Sequence, residues 1–280
     1  WINGLIGVAI FAGSLPATRV AVTDLGPVFL TCARASIAAL LGWALLRALG
    51  QPRPKRADVP PLALTALGGV VGFPLLTALA LQHVTSAHSI VFLGMLPLCT
   101  AVFAVLRGGE RPRPPFWLFS VAGAACVTGY AAMGGVEASL QGDLLMLAAI
   151  VLCGMGYAEG ARLSRALGGW QVISWALLLS LPVMLPIALL TRPESFSHVG
   201  APAWMGLAYV SLFSMLIGFV FWYRGLAQGG IAAVGQLQLL QPFMGLGLAA
   251  WLLHEKVSWT MLAATLGAVA CVAGAKRYAP

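Results

Sequence analysis

Long apolar runs separated by short polar punctuation dominate this chain. Ten runs are long enough to cross a bilayer as helices, at roughly 20 residues per crossing. They are 2–22, 27–49, 60–82, 86–107, 115–134, 142–164, 171–191, 202–225, 230–252 and 258–277. Asp24-Leu25-Gly26-Pro27 between the first two reads as a turn. Gln51-Pro52-Arg53-Pro54-Lys55-Arg56 and Glu110-Arg111-Pro112-Arg113-Pro114 read as basic, proline-rich loops. Gly134-Gly135 opens a short acidic loop, and Arg192-Pro193-Glu194-Ser195 a longer one. The runs are continuous, whereas a barrel strand alternates apolar and polar over about ten residues. The expected fold is therefore an all-α integral membrane protein. The first run has neither a basic lead nor a clear cleavage site, so it reads as a span and not a signal peptide.

Composition agrees with the pattern. Only 9% of the 280 residues are charged, against about 25% in soluble domains. That excludes a conventional cytosolic enzyme and a nucleic-acid module. The net charge of +8 reports topology once the basic residues are sorted by position. With the N-terminus inside, the inner loops and adjoining helix ends hold Arg47, Arg53, Lys55, Arg56, Arg107, Arg111, Arg113, Arg162, Arg165, Arg224, Lys276 and Arg277. The outer loops hold Arg192 and Lys256, and Arg19 and Arg34 lie within spans. The expected orientation is N-in and C-in, in a bacterial inner membrane. The 53–56 cluster could also meet a lipid surface, although topology suffices to explain it. The five cysteines fall in apolar segments without a CxxC pair, so no metal or other cofactor is expected.

The chain also carries an internal repeat. At a shift of 145 positions Pro97 meets Pro242, Glu110 meets Glu255, Arg111 meets Lys256, Cys126 meets Cys271 and Gly129 meets Gly274, without a gap. At a shift of 143, Gly13 and Arg19 meet Gly156 and Arg162. Each half, 1–134 and 135–280, would hold five spans. An odd number makes the second half enter the membrane from the opposite side. Such inverted repeats put a substrate site near the midplane and give two states of similar energy. The pattern points to a secondary transporter working by alternating access; a passive channel or facilitator is the alternative. Neither an HExxH nor a GxSxG motif suggests an enzyme.

Several residues within spans could carry transport. Gln236, Gln238 and Gln241 lie in the ninth span, and amides in hydrocarbon need partners or a wet cavity. They could bind the two ends of a zwitterion. Phe73 and Thr77 in the third span, His88 and Phe92 in the fourth, Tyr157 in the sixth, and Phe213 and Trp222 in the eighth could line the same pocket. For each of these, plain packing is the competing reading. Pro97 and Pro242 read as hinges or as static bends near midspan. Gly68/Gly72 and Gly156/Gly160 have the spacing for close helix approach. Arg34 could attract a carboxylate or pair with Asp24, and Glu159 is expected to pair with Arg162. Trp1, Trp117, Trp170, Trp204 and Trp259 read as interfacial anchors.

Taken together, several of these motifs resemble a known family. They are Leu30-Thr31-Cys32-Ala33-Arg34, the turn Ala80-Leu81-Gln82-His83-Val84-Thr85-Ser86-Ala87, Pro97 followed by Gly109-Glu110-Arg111, and the echo Pro242 with His254-Glu255-Lys256. Their order and spacing resemble the EamA family of the drug/metabolite transporter superfamily. His254 departs from the glycine common before the second glutamate. The resemblance implies two five-helix repeats and export of small metabolites, often amino acids. In size and layout the chain is similar to YddG-type exporters of aromatic amino acids. The expected partners are a small-molecule substrate and the lipid bilayer, with no nucleic acid, and a monomer is compatible with the pattern.

Overall fold

A computed structural model describes residues 1–80, 83, 92–133, 139–253 and 259–279. The described residues are helical wherever they are regular. We number the α-helices α1 Ile2–Ala12, α2 Ser14–Val22, α3 Pro27–Ala48, α4 Val59–Thr65, α5 Phe73–Ala80, α6 Leu96–Leu106 and α7 Pro114–Ala132 in the first half. The second half has α8 Leu140–Leu167, α9 Gly169–Leu190, α10 Ala201–Tyr209, α11 Gly218–Gly229, α12 Ile231–Gly235, α13 Gln241–Leu253 and α14 Trp259–Tyr278. Six continuous stretches among the described residues are long and apolar enough to cross a membrane: Ile2–Val22, Pro27–Ala48, Arg56–Thr77, Leu140–Leu167, Gly169–Leu190 and Ala201–Gly229.

Several expected spans are interrupted rather than straight. The first breaks at Gly13 between α1 and α2. There the Tyr209 hydroxyl donates to the Ile10 carbonyl at 2.9 Å, and the Ser14 hydroxyl donates to Ser214 at 2.8 Å. Two π-helical segments, Ala66–Gly72 and Val210–Ile217, occupy positions about one repeat apart. The ninth expected span is α12, a 3₁₀ segment Gln236–Leu240, and then α13. Pro97 and Pro242 were expected near midspan, as hinges or as static bends. Each instead stands second in its helix, Leu96–Leu106 or Gln241–Leu253. A missing N–H costs nothing there, because the first turn has no intrahelical acceptor for it.

Packing is reciprocal between the halves. α1 packs on α11, while the α4–α5 rod packs on α8; α3 pairs with α9, and α7 with α14. Glycines make the closest approaches, as they must where lipid supplies no hydrophobic drive between helices. Gly68 lies on Gly156, so the two glycine spacings found in sequence meet each other, and Gly225 lies on Gly4. A Cβ at Gly68 would fall 2.7 Å from the Gly156 Cα and closer still to the Leu152 carbonyl oxygen. Gly68→Val should cost more than the ~1–3 kcal/mol of ordinary overpacking, because backbone cannot rotate away. The expected result is a lowered melting midpoint and less folded protein on size exclusion. Gly129→Ala has open space around it and should leave both unchanged or slightly raised.

One end of the bundle, called here the terminal face, gathers both chain ends. The Arg113 amide donates to the Tyr278 carbonyl at 3.1 Å, the Lys276 ammonium sits 4.7 Å over the Trp1 ring, and Asn3 donates to Gln228. At the far face Asp24 accepts from the Gly200 amide at 2.8 Å, and Phe196 lies between Phe29 and Trp204.

Candidate functional site

The interior between the halves is aromatic. α11 presents Phe219, Trp222 and Tyr223, which at i, i+3 and i+4 share one helix face. Trp222 and Tyr223 are fully buried. Tyr157 of α8 meets Trp222 edge-on at 5.5 Å and Phe219 at 6.1 Å. Phe11 of α1 completes the group, 5.1 Å from Phe219 and 6.2 Å from Trp222. Gly69 and Gly160 leave room for the Tyr223 ring, since a Cβ at either would meet that side chain or the neighbouring Phe219.

Polar groups enter this aromatic wall from the 3₁₀ segment. Gln236 and Gln238 are both buried. The Gln236 amide nitrogen donates weakly to the Pro97 carbonyl at 3.5 Å. Its oxygen, both amide atoms of Gln238, the Trp222 indole nitrogen and the Tyr223 hydroxyl are buried with no partner among the described residues. The Tyr157 hydroxyl lies beside Gln238 and Cys153. Each unpaired buried polar group costs about 1–3 kcal/mol. Five such atoms on adjoining elements therefore mark either stored cost or a place that a polar ligand completes.

The structure gathers some expected site residues and separates others. Gln238, Tyr157 and Trp222 come together, whereas the Gln236 amide lies against the Pro97 carbonyl. Phe73 and Phe92 are half-buried against the same core, and the buried Thr77 hydroxyl has no partner. Gln241 begins α13 and is only half-buried, because the 3₁₀ segment changes the register that would have put it beside Gln238. Phe213 is not part of the buried aromatic group. It is 42% exposed and stacks on Tyr209, because it lies in the π segment, where wider i→i+5 turns re-aim side chains. His88, His254 and Glu255 lie outside the described residues. Arg34 does not pair with Asp24, whose carboxylate holds Gly200 instead. Sequence reasoning missed Phe11, Phe219 and Tyr223; the available signal was the i, i+3, i+4 aromatic spacing in α11.

The terminal face is closed by carboxylates. Glu110, just past α6, accepts from the Ile231 amide at 2.6 Å and, through its other oxygen, from the Ala232 amide at 2.8 Å. Arg165 of α8 adds a 3.1 Å ion pair. Gly109 and Gly230, with φ of 69° and 88°, supply the tight turns that bring these segments face to face. Nearby, the fully buried Glu159 binds Arg162 at 2.8 Å, as expected, and also Arg107 from the end of α6. A four-residue stretch of the first half thus grips α8 and the start of α12. Among the described residues no group of His, Cys, Asp and Glu could hold a metal ion.

Comparisons with known proteins agree with this geometry. The EamA-like transporter family matches residues 1–130 and again 140–275. The chain is 65% identical to the uncharacterized transporter YdeK of Bacillus subtilis (strain 168), over all of this chain and 97% of that one. A probable terminal-alkyne amino-acid exporter of Streptantibioticus cattleyicolor is 24% identical over 85% of this chain and 80% of its own. A crystal structure at 21% identity superposes with a TM-score of 0.82, over 98% of this chain and 97% of that chain, and shares the fold. The chain belongs to the EamA-like transporter family, and is a multi-pass membrane transporter rather than an enzyme.

Proposed function

We propose that this transporter exports neutral amino acids across a bacterial inner membrane by alternating access. The carrying observation is the set of unpaired amide, indole and phenol groups on an aromatic wall between the two halves. Such a wall suits a small solute with an apolar body and polar ends. The Streptantibioticus cattleyicolor relative, a probable terminal-alkyne amino-acid exporter, supports the amino-acid class.

The architecture in this reading is ten spans in two inverted five-helix repeats, 1–134 and 135–280, with both termini inside. The reciprocal packing and the similarly placed π segments support it. So do the basic residues, which crowd the loops of the terminal face and make it the cytoplasmic one. Gln236, Gln238, Tyr157 and Trp222 then bind substrate, Phe73, Thr77 and Phe92 stand on the path, and the segments before Pro97 and Pro242 flex. The ion pairs of Glu110 and Glu159 close the cytoplasmic side in this conformation.

Counterflow in proteoliposomes tests the mechanism. Liposomes preloaded with unlabelled phenylalanine, methionine or threonine should take up the labelled form of the same amino acid transiently above its equilibrium level. Conductance or equilibration without counterflow would indicate a channel and reject the proposal.

A further inference from the structure

Arg34 stands apart from the aromatic and amide groups, and its surroundings are unusual. In the outer part of α3 every residue from Phe29 to Ser36 is buried except Arg34, which is half-buried and marks the one open side of an otherwise enclosed stretch. Further along the helix, Ile37, Leu40, Leu41, Trp43 and Leu45 form the exposed, lipid-side face. Arg34 therefore lies in the enclosed part of a span, two helical turns from its Pro27 end. Its Nε is buried without a partner, and it takes part in none of the ion pairs among the described residues. The elements packed on α3 are α2, α5, α9, α10 and the π segment Val210–Ile217. None of them contains an aspartate or a glutamate. Among the described residues the guanidinium therefore has no carboxylate partner, and an arginine so placed within a span is by default a functional group in search of an anion.

A second unpaired donor stands on a neighbouring helix. Five of the buried hydroxyls return to the carbonyl four residues earlier: Ser36 to Cys32, Thr65 to Pro61, Thr100 to Leu96, Ser164 to Gly160 and Ser211 to Leu207. Thr77, like Ser120 and Ser174, does not; its Oγ1 is buried and unpaired among the described residues. It lies in α5, which covers only the far-face half of its rod, the same half of the bundle that holds Arg34 in α3.

We propose that Arg34 binds the carboxylate of the transported substrate, with the Thr77 hydroxyl as a second donor, and so makes the carrier selective for carboxylate-bearing solutes. A guanidinium offers a planar pair of N–H donors that matches a carboxylate. This rests on the transporter reading above and adds the anion-recognising residue, which the neutral Gln and aromatic wall does not supply.

The test uses three probes that share one apolar body: L-phenylalanine, phenylalaninamide and 3-phenylpropionate. In proteoliposomes of the wild-type chain, phenylalanine and 3-phenylpropionate should inhibit labelled uptake at concentrations at least tenfold lower than the amide. Arg34→Gln should raise the half-saturating concentration for the carboxylates at least tenfold and remove their advantage over the amide. Arg34→Lys should restore part of it. Wild-type melting midpoints with each probe give the same ranking without any variant, so a misfolded variant leaves the proposal testable. If phenylalanine fails to exchange while 3-phenylpropionate does so in an Arg34-dependent way, the amino-acid reading falls and the carboxylate site stands. If phenylalanine exchanges but the amide competes equally, or Arg34→Gln leaves its affinity unchanged, Arg34 only snorkels and the proposal is overturned. Preference for the amide over both carboxylates overturns it as well.

Discussion

Glu110→Ala is expected to lower transport at least tenfold and to open the terminal face, while the protein still inserts and folds. The substitution removes two charge-assisted bonds to the Ile231 and Ala232 amides and strands Arg165. Leaving a buried amide without its acceptor costs about 1–3 kcal/mol for each of the two, and the solvent-exposed Arg165 adds little. About 2.7 kcal/mol corresponds to a hundredfold change in an equilibrium constant at 25 °C. All of that cost falls on the conformation in which the end of α6 touches the start of α12. An alternate conformation that lacks the contact is relatively favoured by the same amount. Spin labels at the exposed positions Leu106 and Gln228, one at the end of α6 and one near the end of α11, report the opening. In a background without the native cysteines, their separation should lengthen in Glu110→Ala. Glu110→Gln keeps one acceptor oxygen but loses the charge opposite Arg165, so an intermediate shift is expected. An unchanged distance distribution with unchanged turnover would reduce Glu110 to a static cap on α12. Glu159 adds to the closure from α8, and its own loss would strand Arg107 and Arg162 together.

The position of Glu110 also shows where sequence reading reaches and where it stops. Its match with Glu255 was legible as a repeat, but its partners are backbone amides 121 residues away, and no residue type announces a backbone donor. The apolar runs made the membrane class and the approximate spans plain, since only helices and closed barrels satisfy backbone groups in lipid. The interruptions were not legible. The break at Gly13 depends on Tyr209 and Ser214, about 200 residues away. The 3₁₀ segment Gln236–Leu240 undid the expected alignment of Gln238 with Gln241. In a soluble helix an inward face is also the apolar face, which reveals buried positions. Here lipid-facing and inward-facing side chains are equally apolar, so Phe213 and Trp222 looked alike, although one is exposed and the other fully buried. Polar residues within spans kept their information. Gln236, Gln238 and Thr77 all lie buried with unpaired atoms, and Arg34 carries one too.

Gln238→Leu separates a binding residue from structural glue, because the two roles predict opposite signs for stability. The Gln238 side chain is buried beside the Tyr157 hydroxyl, and neither amide atom reaches good hydrogen-bond geometry with a described residue. Leucine is of similar size and removes both unsatisfied groups. If nothing in the folded chain depends on the amide, the variant gains on the order of 1–2 kcal/mol, an upward shift of a few degrees in melting midpoint. Transport should nevertheless fall at least tenfold, because the substrate loses its hydrogen-bonding partner beside Tyr157 and Trp222. Stabilisation with loss of function is the expected trade at a site whose polar groups wait for a ligand. Loss of stability together with loss of transport would make Gln238 an interhelical tie, and stabilisation with full transport would remove it from the substrate path. Trp222→Phe supplies the companion measurement. It keeps an aromatic ring against Tyr157 and Phe11 but deletes the unpaired indole N–H. A higher half-saturating concentration at near-normal maximal rate in that variant would locate the lost bond in ground-state substrate binding rather than in the conformational step.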